Sequence, residues 1–427
     1  MQKSVVDRTS WLSSAAKLAL ISAVAICFFI SPFLISISSG SSSVSINSTR
    51  VSPDVHHRTL TSPNVQNYGV FGDSVAISGK IVMVGAPDES ASGYDYAGHA
   101  YTFNAETGKL ISTLTSPNAQ TAGEFGNAVA ISGNTLVVAA WGETASGYSF
   151  AGHVYIFSSK TGKLITTLTS PNAQTDGFFG NSVAVSGNIV VVGAYAETAF
   201  GYQAAGHAYI FNAKTGKLVS TLTSPNAQSS GDFGYSVSAS DDIALIGAIG
   251  ETVSGYSFAG HAYTFNTNTG KLIDTLSSPN AQTSGFFGNS VAVSASTIVV
   301  GAPYETASGY SEAGHAYTFD AKTGSLISNF TSPNAQTDGY FGSSVAVSGK
   351  ILVVGAPAET ASGYTEAGHA YTFNDATEKL ISTLTSLNVQ DGGYFGWSAA
   401  VSGKIVLVGA PEETASGYYV AGHAYVF

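Results

Sequence analysis

The chain has a single cysteine in 427 residues, Cys27, which lies inside an apolar run near the N-terminus. This excludes a disulfide framework and a thiolate metal site from the rest of the sequence. Charged residues make up only 10% of the chain, and acidic residues outnumber basic ones by 27 to 16. The stability of the protein must therefore come mainly from packing.

Helical patterning is also missing. After residue 40, no stretch repeats apolar residues at the 3.6-residue period of an α-helix. Glycine is abundant, with 48 residues, and Ser, Thr, Ala and Tyr are frequent. This composition is typical of short strands joined by tight turns, so we predict an all-β fold for most of the chain.

The N-terminus is a separate case. Lys3, Arg8 and Lys17 precede an apolar stretch at 18–38, which reaches the ~20 residues needed to span a bilayer. We predict one hydrophobic helix within 1–38, acting as a signal anchor with the following chain outside the cell. The alternative is a cleaved signal peptide, whose apolar core is usually only ~7–15 residues, and a secreted protein. Residues 39–57 form a Ser-rich stalk.

Two markers recur every 54 residues without an insertion. The first is Phe-Gly, at Phe71, Phe125, Phe179, Phe233, Phe287, Phe341 and Phe395. The second is Ala-Gly-His, at His99, His153, His207, His261, His315, His369 and His423. Seven copies at one fixed spacing indicate a repeat architecture.

One repeat predicts one four-stranded blade. In the third copy the strands are FGNSVAVS (179–186), IVVVGA (189–194), GHAYIFN (206–212) and LVSTLTS (218–224). The second strand is apolar throughout, so both of its faces should be buried between neighbouring blades. Four antiparallel strands repeated radially predict a seven-bladed β-propeller over 58–427.

The two ends of the chain predict how the ring closes. The last copy stops at Phe427, at the end of its third strand, so its fourth strand is missing. The segment TLTSPNVQ at 59–66 matches TLTSPNAQ at 113–120, which follows the first blade. We predict that the N-terminal segment completes the seventh blade and leaves no open edge in the ring.

The elements FGNSVA, VVGAP and GHAYTF resemble the FG-GAP repeat of integrin α-subunit propellers, in its short-turn bacterial and archaeal form. Gly-Ala-Pro is intact at 85–87, 301–303, 355–357 and 409–411, and departs at 139–141, 193–195 and 247–249. The resemblance implies a propeller used for extracellular recognition or adhesion.

The resemblance does not extend to bound ions or cofactors. Several integrin repeats carry an Asp-rich calcium loop after the first strand, and calcium needs six to eight oxygen ligands. Here that turn is SGK or SGN, and Asp241 with Asp242 supplies only two carboxylates. The segment AYTFNAETGKLIS (100–112) is weakly similar to quinoprotein propellers, but no matching set of pocket residues is recognisable. We predict no calcium site and no cofactor.

Glutamate and histidine recur together. Each loop after the second strand carries a Glu ten residues before the marker His: Glu89, Glu143, Glu197, Glu251, Glu305, Glu359 and Glu413. Carboxylate and imidazole suit zinc or copper, so Glu89, His99 and their repeats are a weak metal hypothesis. The favoured interpretation is structural, with the His at the start of the third strand bonded to a neighbouring loop.

Three consecutive blades break the repeat with apolar or aromatic residues. Trp141, Tyr195 and Ile249 replace proline, and Phe150 and Phe258 occupy a loop position that is Glu312 or Glu366 elsewhere. An aromatic patch on a loop surface could bind a sugar ring or an anchor side chain of a protein. The alternative is that these side chains fill gaps between blades.

We therefore predict a cell-surface recognition or adhesion module, not an enzyme, which binds an unknown extracellular protein or glycan. The alternative is a structural envelope component, and a hydrolase or quinoprotein-like enzyme is the weakest candidate. Most acidic residues fall at the loop end of the blades, which argues against nucleic acid as a partner. The propeller is expected to be monomeric, to contact membrane only through 18–38, and to offer Asn47 and Asn329 for N-glycosylation.

Overall fold

The computed structural model of the chain describes residues 57–427. The predicted signal anchor, nearly all of the stalk and Asn47 lie outside these residues. Within them, 28 strands form seven four-stranded antiparallel sheets, which confirms the predicted seven-bladed all-β propeller. In this part of the chain no helix is both long and apolar enough to cross a membrane.

The strands occupy four radial positions. The innermost are β2 (Val75–Ser78), β6 (Phe125–Ser132), β10 (Val183–Ser186), β14 (Phe233–Ser240), β18 (Ser290–Val293), β22 (Ser344–Ser348) and β26 (Ser398–Ser402). The second are β3 (Ile81–Ala86), β7 (Thr135–Ala140), β11 (Ile189–Ala194), β15 (Ile243–Ala248), β19 (Thr297–Ala302), β23 (Ile351–Ala356) and β27 (Ile405–Ala410). The third are β4 (His99–Asn104), β8 (His153–Ser158), β12 (His207–Asn212), β16 (His261–Asn266), β20 (His315–Asp320), β24 (His369–Asn374) and β28 (His423–Val426). The outermost are β5 (Leu110–Leu114), β9 (Leu164–Thr169), β13 (Leu218–Leu222), β17 (Leu272–Ser277), β21 (Leu326–Thr331), β25 (Leu380–Leu384) and β1 (Arg58–Leu60).

The hydrophobic core lies between blades. Strand β11 is buried at every residue after Ile189, which confirms the prediction that both faces of the second strand are covered. The buried residues form seven clusters, each drawn from two adjacent blades. Burial on both faces explains why this strand shows no polar alternation.

Glycines at the interfaces set the distance between blades. A Cβ added to Gly85 would lie 1.9 Å from the carbonyl oxygen of Gly126 in the next blade, so only glycine fits there. Blade 2 departs from this rule, with Ala139 in place of the glycine and Val154 in place of Ala100. Both side chains reach within about 3 Å of a Cβ placed on Gly180, so the interface between blades 2 and 3 is filled by side chains instead.

The ring closes as the sequence predicts. Strand β1 pairs with β28, with Thr59 opposite Tyr425 and Leu60 opposite Ala424. Leu60 is buried in the cluster between blades 7 and 1. The ring of His57 also packs edge-on against Phe427, at 5.0 Å between ring centroids. Blade 7 is therefore built from both ends of the propeller sequence, and closure is non-covalent.

Candidate functional site

The two ends of the ring differ in their connections. At one end, the loop after the second strand meets the connection that enters the blade from its neighbour. In blade 1, for example, Ser62 hydrogen-bonds Glu89. We call this end the loop face. At the other end are the short turns, where Ala105 N–H donates to the Lys80 carbonyl oxygen (2.8 Å) and the Lys80 ammonium pairs with Glu106 (2.9 Å).

The repeated glutamates form the same buried cluster in every blade. Glu89 is fully buried, and it accepts hydrogen bonds from the Ser62 and Tyr101 hydroxyls. The Nδ1 atom of His99 lies 2.8 Å from its Oε2 atom, and the imidazole stacks on the Tyr101 ring. The corresponding histidine–glutamate distances in the other six blades are 2.7–3.2 Å.

This cluster connects one blade to the next. Burial and the adjacent Glu89 carboxylate raise the pKa of Tyr101 far above its usual value, so the phenol stays protonated and donates to Glu89. Ser62 belongs to the connection arriving from β1, so its bond to Glu89 ties that connection to blade 1. Within residues 57–427 no three His, Cys, Asp or Glu side chains are grouped so that they could hold a metal ion.

The acidic loop face is smaller than the sequence predicts. The sequence places most acidic residues at this end, and all seven of these glutamates lie there, but none of the seven is solvent-exposed. Each carboxylate is covered because residues from two other segments, the connection entering the blade and the third strand, converge on it. For Glu143 these are Ser116, Asn118 and Tyr155. The seven glutamates therefore lie at the loop end, but their charge is not exposed to solvent there.

Three of the predicted ligand-binding residues form one aromatic cluster around a residue that the sequence analysis missed. Phe178 lies 4.7 Å from Trp141, 5.7 Å from Tyr195 and 6.4 Å from Phe150, measured between ring centroids. Phe178 is buried, whereas Trp141, Phe150 and Tyr195 are partly exposed. The rings therefore cover one another at the junction of blades 2 and 3.

The other two predicted residues lie elsewhere. Ile249 is buried, with 8% of its surface exposed, so it offers little area to a ligand. Phe258 packs 6.1 Å from Phe286, which begins a second row of rings that continues through Tyr304 to Tyr340. The structure thus separates the five predicted residues into two aromatic rows and one core position.

A buried carboxylate lies beside these rows. Asp232 is buried, and its Oδ1 atom has no hydrogen-bond partner. Desolvation raises its pKa to about 7. Its negative charge contributes to raising the pKa of Tyr195 and of Tyr235, after the larger effect of burial on each.

The axis of the ring is a narrow channel of about 260 Å³, lined by the innermost strands of all seven blades. One lining position is asparagine in three blades, at Asn127, Asn181 and Asn289. In two other blades it is aromatic, at Tyr235 and Trp397. Trp397 has 47% of its surface exposed. Of the two aromatic residues at this position, Trp397 is the more exposed, and the sequence analysis did not single it out.

The loop face also carries exposed aromatic side chains that the sequence analysis missed. One tyrosine per blade is about half exposed, at Tyr94, Tyr148, Tyr202, Tyr256, Tyr310, Tyr364 and Tyr418. Phe200 (73% exposed) occurs in one blade only and borders a groove of about 460 Å³ with Tyr202, Pro225 and Leu272. Tyr68 and Tyr419 are 53% and 70% exposed where blades 7 and 1 meet. A comparison of the seven repeats at every loop position, and not only at the proline position, would have found these residues.

The predicted glycosylation site at Asn329 lies on β21, where its side chain is exposed and its backbone pairs opposite Tyr317. The position is open to an attached glycan.

A family model described as FG-GAP repeat matches the chain seven times, at 56–103, 109–157, 164–211, 217–265, 272–319, 325–373 and 380–427. Comparison with curated proteins gives no match. Each matched segment runs from the outermost strand of one blade, through the connection, to the third strand of the next blade.

Proposed function

Because this chain belongs to the FG-GAP repeat family, we propose that it is a recognition or adhesion module that binds a partner outside the cell through its loop face. The fold is compatible with binding in general. The apolar segment at 18–38 and the positive charges that precede it support the proposed extracellular location.

The observation that carries the proposal is the departure of exposed side chains from the symmetry of the ring. Phe200 stands where the other blades have serine, and Trp397 where they have Asp, Asn, Ser or Tyr. Both are large and exposed on a backbone that otherwise repeats closely. Exposed aromatic residues gain free energy when a partner covers them, and they dominate many binding interfaces.

The short-turn end is a poorer candidate for the contact surface. Its turns carry the exposed lysines, such as Lys80 next to Glu106, and in the described part of the chain they carry no aromatic side chain. The loop face has both the apolar area and the asymmetry that would fix an orientation.

A structural envelope component is the second candidate, because six blades expose two adjacent apolar residues on their outermost strand. These are Leu110–Ile111, Leu164–Ile165, Leu218–Val219, Leu272–Ile273, Leu326–Ile327 and Leu380–Ile381. Lateral packing between copies would bury them. Against this, the register shifts there, for example between Ile210 and Phe211 of β12, and bulges of this kind hinder edge-to-edge pairing.

The experiment is a binding assay with the full chain in mild detergent on arrays of extracellular proteins and glycans. Trp397→Ala in the central channel and Phe200→Ala on the loop face should reduce binding, while Leu110→Ala on the outer strand should not. Light scattering of the same samples tests the alternative. Large assemblies that Leu110→Ala and Ile165→Ala dissolve, together with no binding to either array, would favour the envelope role and overturn the proposal.

A further inference from the structure

Two connections meet at the junction of blades 7 and 1, and both carry exposed tyrosines. Tyr68 lies between β1 and β2, and Tyr418 and Tyr419 lie between β27 and β28. The Tyr68 N–H donates to the Tyr419 carbonyl oxygen (2.8 Å), and the Tyr419 N–H donates to Asn67 Oδ1 (2.9 Å). We call Tyr68, Tyr418 and Tyr419 the seam tyrosines.

The seam tyrosines are fixed at the backbone but open at the side chain. Their exposed fractions are 53%, 41% and 70% in chain order. Within residues 57–427, neither the Tyr68 nor the Tyr419 ring stacks on another aromatic ring, in contrast to Trp141 and Tyr195. Tyrosines held by the backbone lose little conformational entropy when a ligand covers them.

Tyr68 also has an unfavourable backbone conformation. Its φ of 61° lies in the left-handed region, which disfavours bulky side chains. The equivalent residues in the other repeats share this conformation and are all smaller: Ala122, Asp176, Ser230, Ser284, Asp338 and Gly392. Phe178 has a similar φ of 52° but is buried among other rings, whereas the exposed ring of Tyr68 adds strain without adding packing between blades.

The chemistry around the rings identifies the class of ligand. The exposed residues of the two segments are Asn67, Tyr68 and 416–419, of sequence SGYY, and none of them is charged. Phenol rings offer flat apolar faces to the C–H faces of a pyranose, while their hydroxyls and the Asn67 amide can hydrogen-bond sugar hydroxyls. An acidic glycan or a charged peptide would find no counter-charge here.

We infer that the seam tyrosines form a binding site for a neutral glycan. This inference rests on the proposed recognition function, and it narrows that function to one junction and one class of ligand. The site is unique in the ring, because no other junction has a tyrosine at the position of Tyr68 or at that of Tyr419.

The junction of blades 4 and 5 supplies a matched control. Ser284 and Ser257 occupy the positions of Tyr68 and Tyr419, and they make the same backbone hydrogen bond, at 2.9 Å. Tyr256 stands in the place of Tyr418. The two junctions therefore share their backbone and one tyrosine. They differ in the two rings under test, in Thr283 at the position of Asn67, and in the packed pair Phe258 and Phe286 at the positions of Val420 and Val70.

The test is calorimetric titration of the full chain in mild detergent with cellohexaose, xylohexaose, mannohexaose and chitohexaose, and with a hyaluronan hexasaccharide as the acidic probe. At least one neutral hexasaccharide should bind at one site per chain. Tyr68→Ala and Tyr419→Ala should each weaken that affinity about tenfold, whereas Ser257→Ala with Ser284→Ala should leave it unchanged. Ser257→Tyr, Thr283→Asn and Ser284→Tyr together should raise the number of sites from one to two.

Three results would overturn the inference. The first is unchanged affinity in the Tyr68→Ala, Tyr419→Ala double variant, with its melting temperature also unchanged. The second is binding of the acidic probe alone, and the third is binding to none of the hexasaccharides. If the protein array described above still gives a loop-face partner in the third case, only the glycan assignment fails. If it gives none, the recognition function fails as well.

Discussion

The interface between blades 2 and 3 and the interface between blades 7 and 1 use the same repeat in opposite ways. At the first, Ala139 and Val154 fill the space that glycine and alanine leave elsewhere. Phe178 also packs against three further aromatic rings there. At the second, the packing follows the repeat, and the unusual residues Tyr68 and Tyr419 face solvent. The chain passes directly from one blade to the next at both interfaces, but in blade 7 the outermost strand, β1, comes from the other end of the propeller sequence.

The comparison separates two kinds of departure from a repeat. An aromatic residue that replaces a small one can fill the space between blades or add exposed surface to a loop. Both kinds look the same in the sequence. Only the second kind leaves area for a partner, so the exposed side chains of blades 7 and 1 are better recognition candidates than the packed rings of blades 2 and 3.

The largest difference between the two interfaces should appear when the closing strand is removed. Deleting Arg58–Leu60 leaves β28 as an open edge and removes Leu60 from the core. We expect a loss of about 5 kcal/mol or more in the free energy of unfolding, or aggregation, measured by thermal melting and light scattering.

Leu114→Ala is the control for that deletion, since Leu114 occupies the equivalent buried position in the continuous blade 1. It should cost only the ~2–5 kcal/mol of a single core truncation. A deletion variant that melts with the intact protein would show that blade 7 does not depend on β1.

The next largest difference in stability is expected between a packed and an exposed aromatic residue. Phe178→Ala removes the ring on which Trp141, Phe150 and Tyr195 pack, and we expect a loss of ~3–5 kcal/mol by chemical denaturation. Tyr419→Ala removes an exposed ring and should change stability by less than ~0.5 kcal/mol. Equal effects for the two variants would remove the distinction between packed and exposed aromatic residues.

Asp232 extends the comparison to charge, because it is buried beside the packed rings. Desolvation raises its folded-state pKa to about 7, so the folded protein binds this proton more tightly than the unfolded chain does. Its contribution to stability is therefore fully present below about pH 4 and is lost as the pH rises through about 7.

Asp232→Asn should consequently be more stable than the parent protein by roughly 2–4 kcal/mol at pH 8, and the difference should shrink towards pH 4. Melting curves of both proteins across this range test the expectation. A difference that stays constant with pH would mean that Asp232 does not titrate in the folded state as we expect.

The glutamate clusters should contribute equally to stability at the two interfaces. Glu89 serves the connection into blade 1 and Glu197 the connection into blade 3, and both are fully buried with the same partners. Glu89→Gln and Glu197→Gln should each cost ~1–3 kcal/mol, because the amide keeps only one acceptor oxygen and one of the two buried hydroxyls then faces an NH2 donor. Denaturation midpoints that differ widely between the two variants would show that the repeats are not equivalent in energy.

The smallest expected effect is that of a chelator. The short turns of 57–427 lack the carboxylates of a calcium loop, so EDTA should leave the melting temperature unchanged at both interfaces. Differential scanning calorimetry with and without EDTA is sufficient. A fall of several degrees would point to a cation bound at the Glu and His residues.

The sequence predicts the strands and the closure of the ring well, because both depend on the local pattern of the repeat. The apolar run of β11, the start of every third strand at histidine and the closing role of 59–66 follow from the repeat itself. The burial of Glu89 does not follow, since its covering residues, Ser62 and Tyr101, come from separate segments. Nor could the sequence separate Trp141 from Tyr419, because the exposure of a ring depends on which neighbours reach it.

The N-terminal position of β1 also sets the order of events during synthesis. This strand leaves the ribosome before any blade exists, but its partner β28 is made last. Blades 1 to 6 can each complete four strands from contiguous chain, whereas blade 7 must recruit a strand made long before. Ring closure is therefore the final and most non-local step of folding. A chain whose synthesis stops before His423 lacks β28, so β1 has no partner and the ring cannot close. A closed ring therefore requires that the last blade has been made.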